Sequence, residues 1–174
     1  MKGAGMPTRA EFHDAIARRS DRWYAACLKI TRNQDLAEDA VQEALLSAWD
    51  KRHQFEQSAR LETWIHRIAI NAALQLLRKN RPGIFESLDA DPGDESCSPE
   101  SAQQERELGR ELSSALAHLS ELERVCFVLK HLEQWRLAEI AERLDVRIDA
   151  VKQALVRAVK KLRVQMSILQ EDVT

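Results

Sequence analysis

Leu61–Arg81 reads LETWIHRIAINAALQLLRKNR, and two stripes run along it. Wound as a helix at about 100° per residue, it gathers Leu61, Ile65, Ile68, Ala69, Ala72 and Leu76 on one side, an ordinary buried face. Trp64, Arg67, Asn71 and Arg78 form a second stripe well off the first, with Lys79 and Arg81 continuing the charge. An aromatic plane beside guanidinium groups suits single-stranded nucleic acid, where bases stack on the ring and phosphates pair with Arg. A half-buried core Trp beside a solvated basic face explains the same residues, and this helix alone does not choose between the two.

The rest of the 174 residues narrows the choice. Gly and Pro are scarce, at 5 and 4 residues, and β-branched runs are nearly absent, which predicts an all-α protein. No apolar run approaches the roughly 18 residues of a transmembrane helix. The N-terminal MKGAGMPTRAEFHDAIARRSD lacks the apolar core of a signal peptide, so a cytoplasmic protein without membrane insertion is expected. Cys27, Cys97 and Cys126 are isolated from one another, and His13, His53, His66, His118 and His131 show no ligand spacing. Neither a metal nor another cofactor is expected. No nucleophile–base pair or phosphate loop stands out, so the expectation is a binding protein and not an enzyme. The net charge of −2 conceals strong segregation along the chain.

In chain order, residues 1–8 read as a disordered leader, with Gly3, Gly5 and Pro7. A first helix is expected over residues 9–30, with Ile16, Trp23, Cys27 and Ile30 inward. Asp35 followed by Glu38 resembles a capping box that opens a second helix, running to about Arg52. Leu36, Ala40, Val41, Ala44, Leu45, Ala48 and Trp49 are its apolar residues; Glu38, Asp39, Gln42 and Glu43 line its other face. That acidic cluster is either a hydrated surface or a dock for a basic partner. A polar loop, His53–Arg60, precedes the Leu61 helix, and Pro82-Gly83 ends it. Residues 83–103 have no helical period and carry Glu86, Asp89, Asp91, Asp94, Glu95 and Glu100 with no Lys or Arg, which reads as a flexible acidic linker. It divides a first domain, residues 9–82, from a second, residues 104–174.

The second domain resumes with a helix over residues 105–119, whose apolar face is Leu108, Leu112, Ala115, Leu116 and Leu119. Ser120 and Glu123 form a capping box for the next helix, with Leu122, Val125, Val128, Leu129 and Leu132 inward. Two short periodic segments around Asp145-Val146-Arg147 then read as a helix-turn-helix, Asp145 standing where a left-handed residue is wanted. The last helix centres its core on Val151, Leu155 and Leu162. Its other side presents Asp149, Gln153, Val156 and Lys160, flanked by Lys152 and Arg157, a face suited to the DNA major groove. Lys161 and Arg163 are read as available to phosphates. Between Trp135 and Arg163 lie eight basic residues against four acidic ones.

Taken together, three stretches resemble bacterial RNA polymerase sigma factors of the extracytoplasmic-function group. They are DLAEDAVQEALLSAW at Asp35–Trp49, ETWIHRIAINAALQLLR at Glu62–Arg78 and the long run from Leu119 to Arg163. The resemblance implies a first domain that binds core RNA polymerase and captures the melted minus-ten element, and a second that reads minus-thirty-five promoter DNA. It places Asp35, Glu38, Asp39, Gln42 and Glu43 on the polymerase-binding helix. It puts Phe55, Arg60, Trp64, Arg67, Asn71 and Arg78 against minus-ten DNA, His53–Arg60 being the base-capture loop. Arg147, Asp149, Lys152, Gln153, Val156, Arg157 and Lys160 are placed against the minus-thirty-five element. The resemblance further implies a dedicated anti-sigma factor, which no residue here identifies. A sigma-like decoy that titrates such a factor, and an ordinary helix-turn-helix regulator, are the rival readings.

The chain departs from the family at several positions. Gln75 replaces a usual acidic residue, Gln134-Trp135-Arg136 a usual Gly-Leu-Ser, and Asp145-Val146-Arg147 a usual Gly-Val-Ser. Both helix-turn-helix caps are therefore Arg, at an expected cost of about 1 kcal/mol each. Ala154 stands where the family has Arg, an expected loss of a phosphate contact.

Overall fold

The computed structural model describes residues 5–86 and 107–171, and these fall into two compact units that divide after Arg81. Among the described residues every regular element is helical, as the composition predicts. Most of the expected linker, residues 87–103, lies outside the described residues.

The first unit is built from α1 (Arg9–Thr31), α2 (Gln34–Asp50) and α3 (Leu61–Asn80), each packed on the other two. Thr8 starts α1 through a full capping box: its Oγ1 accepts from the Glu11 N–H at 3.2 Å, and Glu11 Oε2 accepts from the Thr8 N–H at 2.7 Å. Of the stretch expected as a leader, residues 1–4 lie outside the described residues. Pro7 is buried, and the Gly5 carbonyl accepts from Gln57 Nε2 at 3.4 Å. Trp23, Cys27 and Ile30 are buried as their spacing requires. Ile16 is only half-buried, while Phe12 and Ala15 are buried.

The start of α2 differs from expectation. Asn33, not Asp35, is the cap: its extended backbone lets Oδ1 accept from the Leu36 N–H at 3.0 Å, and its carbonyl accepts the first helical bond from Ala37. Asp35 sits inside the first turn, where a carboxylate favours the positive end of the helix dipole. The buried line of α2 is Ala37, Ala40, Ala44 and Ala48, with Leu36, Val41, Leu45 and Trp49 on its half-buried flanks. A line of small side chains lets the neighbouring helix axes approach closely.

Contact with both neighbours buries a wide arc of α3: Ile65, Ala69, Ile70, Ala72, Ala73, Leu74 and Leu77. The expected face was narrower and rotated, since Leu61, Ile68 and Leu76 are half-exposed. Each fully buried Ile or Leu contributes about 1.5–3 kcal/mol to holding the helix in place.

The second unit comprises α4 (Glu107–Leu116), α5 (Glu121–Phe127), α6 (Leu137–Leu144) and α7 (Ile148–Glu171). The Ser120–Glu123 capping box forms as expected. Directly after α5, Val128–Leu132 winds as a π-turn, with the Glu133 N–H reaching the Val128 carbonyl at 3.0 Å. The extra residue in that turn carries Leu132 off the inward line, so it is 39% exposed instead of buried. Trp135 is buried in the segment that follows.

Candidate functional site

The stripe on α3 occupies the arc that neither α1 nor α2 covers. Arg67 is exposed there, while Trp64, Asn71 and Arg78 are half-buried. Arg60 is exposed just ahead of the helix, and its carbonyl accepts from the Trp64 N–H at 3.1 Å. Phe55, in the loop six residues before the start of α3, lies 5.3 Å from the Trp64 ring at an interplanar angle of 53°. The loop thus brings a second aromatic ring against the stripe. Asn71 Oδ1 is buried and accepts no hydrogen bond.

The loop is anchored at its start. The Arg52 guanidinium stacks 4.1 Å from the Trp49 ring, and Phe12 meets that ring edge-on at 5.1 Å. Phe55 also borders a cavity of about 200 Å³ lined by Pro7, Glu11, Asp14, Arg18 and Glu62. Within it Arg18 pairs with Asp14, which raises the guanidinium pKa above its ordinary value. One side chain therefore touches both the stripe and this pocket.

On α2, Asp35, Glu38, Asp39, Gln42 and Glu43 are all exposed, opposite the alanine line. Leu46, 71% exposed, stands among them, one turn on from Gln42 and Glu43. The sequence reading passed over it. Its place on the acidic arc was visible from the spacing, but an apolar residue in an amphipathic helix is assigned inward by default.

Arg147, just ahead of α7, and Asp149, Lys152, Gln153, Val156, Arg157 and Lys160 on it are all exposed. Val156 is 70% exposed, an aliphatic group open to a partner surface. The core side is Val151, Ala154, Ala158 and Leu162, with Leu155 half-buried. Ala154 is 1% exposed, so it serves packing, and an Arg would not fit there unless the core shifted. Lys161, expected to be available to phosphates, stays 45% exposed along its side chain, while its Nζ donates to both carboxylate oxygens of Glu123, at 2.8 and 3.0 Å.

The turn departures are visible in the backbone. Asp145 adopts the left-handed conformation at φ 53°, and so does Gln134 at φ 60°. Arg136 precedes α6 with no side-chain cap. Among the described residues no cluster of three His, Cys, Asp or Glu is placed to hold a metal, and no helix is long and apolar enough to cross a membrane.

Comparison with known proteins gives both units a counterpart. Residues 15–82 match sigma-70 region 2, and residues 109–162 match sigma-70 region 4. The chain is 29% identical to the extracytoplasmic-function sigma factor SigW of Bacillus subtilis, over 89% of this chain and 88% of that protein. It is 30% identical to the RNA polymerase sigma factor CarQ of Myxococcus xanthus, over 93% and 92% respectively. SigG of Mycobacterium tuberculosis is 33% identical over 80% of this chain, which spans only 44% of that protein. In fold, the chain is similar to the sigma factor RpoE of Bartonella quintana, solved with the anti-sigma factor NepR. The TM-score is 0.59 at 23% identity, covering 90% of this chain and 97% of that one.

Proposed function

We infer what this chain does from the family to which it belongs, the sigma-70 RNA polymerase sigma factors of the extracytoplasmic-function group. It is a transcription initiation factor that binds core RNA polymerase and directs it to promoter DNA. The residue assignments are our own reading. The exposed face of α2 docks on the polymerase, through a rim of carboxylates around Leu46. An apolar group ringed by charge is the usual anatomy of a binding hot spot: the centre loses water and the rim steers the approach.

Phe55, Arg60, Trp64, Arg67, Asn71 and Arg78 take the melted minus-ten strand. The paired rings supply stacking, which offsets the few kcal/mol needed to unstack a base. The outward face of α7 enters the major groove at the minus-thirty-five element. There Lys152, Arg157 and Lys160 meet phosphates or base edges, and Val156 is available to a thymine methyl. An anti-sigma factor, the class of partner with which RpoE was solved, is proposed to restrain this chain by covering one of these surfaces.

The observation that carries the docking assignment is the single-sided exposure of Asp35, Glu38, Asp39, Gln42, Glu43 and Leu46 against an all-alanine buried line. Binding of core RNA polymerase to the protein and to a D39K/E43K variant tests it. At least a tenfold loss of affinity in the variant is expected, about 1.4 kcal/mol. Equal affinity of the two proteins would place the dock elsewhere.

A further inference from the structure

Glu123 lies in the first turn of α5 yet is buried, 3% exposed, one of the few charged residues so placed among the described residues. Its carboxylate has two tasks. Oε2 accepts from the Ser120 N–H at 3.2 Å, closing the capping box, and both oxygens accept from Lys161 Nζ, at 2.8 and 3.0 Å. Lys161 comes from the middle of α7, 38 residues further on. A capping box needs only the first task. The second joins the start of one helix to the flank of another.

The position of Lys161 on α7 gives that join a consequence. It lies seven residues after Ala154, nearly two turns, and so almost in line with it, at the border of the buried side, where its side chain is 45% exposed. Asp149, Lys152, Gln153, Val156, Arg157 and Lys160 occupy the opposite arc. Packing there rests on small or β-branched groups, Val151, Ala154 and Ala158, with Leu162. Apolar packing is non-directional, and short side chains resist rotation of the helix about its axis poorly. A two-pronged, charge-assisted bond to a buried carboxylate has direction. We propose that the Glu123–Lys161 pair is a positioning strut: it fixes the rotation of α7 and so aims the reading face at the bases, without itself contacting DNA.

This inference rests on the minus-thirty-five assignment above, and it can be tested apart from it. The substitution E123Q isolates the strut, because Gln also serves at the third position of a capping box while the ionic pair is lost. K161M removes the other partner, and K161R keeps the charge. Core polymerase carrying each full-length protein is titrated with a duplex selected from random sequence by the wild-type holoenzyme. The same is done with that duplex scrambled at its minus-thirty-five element, across a salt series.

E123Q and K161M are each expected to lower the selected-to-scrambled affinity ratio about tenfold, the size of one charge-assisted hydrogen bond. The double variant should be no worse than either single one, K161R should restore the ratio, and the salt slope should stay at the wild-type value. If K161M instead weakens both duplexes equally and lowers the salt slope by about one, Lys161 is a phosphate contact and the strut is overturned. An unchanged ratio in both single variants overturns it as well. Failure of the wild-type holoenzyme to select any duplex would overturn the promoter assignment, and this inference with it.

Discussion

Trp64 shows how much one side chain can hold. Its ring is half-buried in the helix bundle and packs against Phe55, yet it shares an exposed arc with Arg67. A ring fixed in this way stacks a base at little further entropic cost. A W64A/R67A variant is therefore expected to lose at least tenfold in promoter opening, followed by permanganate reactivity of unpaired thymines. Its binding to closed duplex should change by less than about threefold, since a stacking platform acts only on single strands. Equal loss in both steps would remove the stripe from strand capture. Cys126 lies at the other extreme. It is 0% exposed, and burial pushes its thiol up to about 12. A thiolate is needed for alkylation or oxidation, so in a C97S background neither Cys126 nor the buried Cys27 should react with iodoacetamide at pH 8 until the protein is unfolded. Rapid labelling of Cys126 in folded protein would show that the second unit opens readily, and of Cys27 that the first does.

At the scale of the element, the helices follow from local rules that the sequence states openly. Thr8 with Glu11, and Ser120 with Glu123, form complete capping boxes, and Asp145 takes the left-handed turn expected of it. Legibility failed where two local signals competed. Asn33 and Asp35 both suit a cap. The backbone chose Asn33, whose carbonyl also accepts from Thr31 Oγ1 at 3.1 Å. The π-turn after α5 could not be read either, because a change from four to five residues per hydrogen-bonded step leaves no mark in apolar spacing until Leu132 emerges. Arg136 remains a weak point, since it precedes α6 without satisfying any of its first N–H groups. R136S is expected to stabilise the second unit by about 1 kcal/mol, measured by urea unfolding. No gain would mean that the Arg136 side chain makes up for the missing cap by another contact.

The molecule as a whole is two helical units, each with its own buried set: Trp23, Ile30, Ile65 and Ile70 in the first, Leu122, Val125, Leu129 and Ile140 in the second. Separate cores predict separate folding. Fragments 1–86 and 105–174 should each be helical by circular dichroism and unfold cooperatively on heating, although units this small sit near the lower limit of independent stability. A fragment that stays unfolded would show that its partner unit supplies part of its core.

What the sequence by itself determined is whatever depends on neighbours within a turn or two: helix starts, the left-handed turn, the segregation of charge, and the periodic stripes that identify the family. What only the tertiary structure decided is which arc of each helix is buried. That arc depends on where other helices stand, and residues far apart in the chain set it. Two neighbours bury a wider and rotated arc of α3, where one narrow stripe was expected. The alanine line of α2 leaves Leu46 outside. Lys161, indistinguishable in sequence from the basic residues around it, turns toward a carboxylate 38 positions away because α5 and α7 pack together.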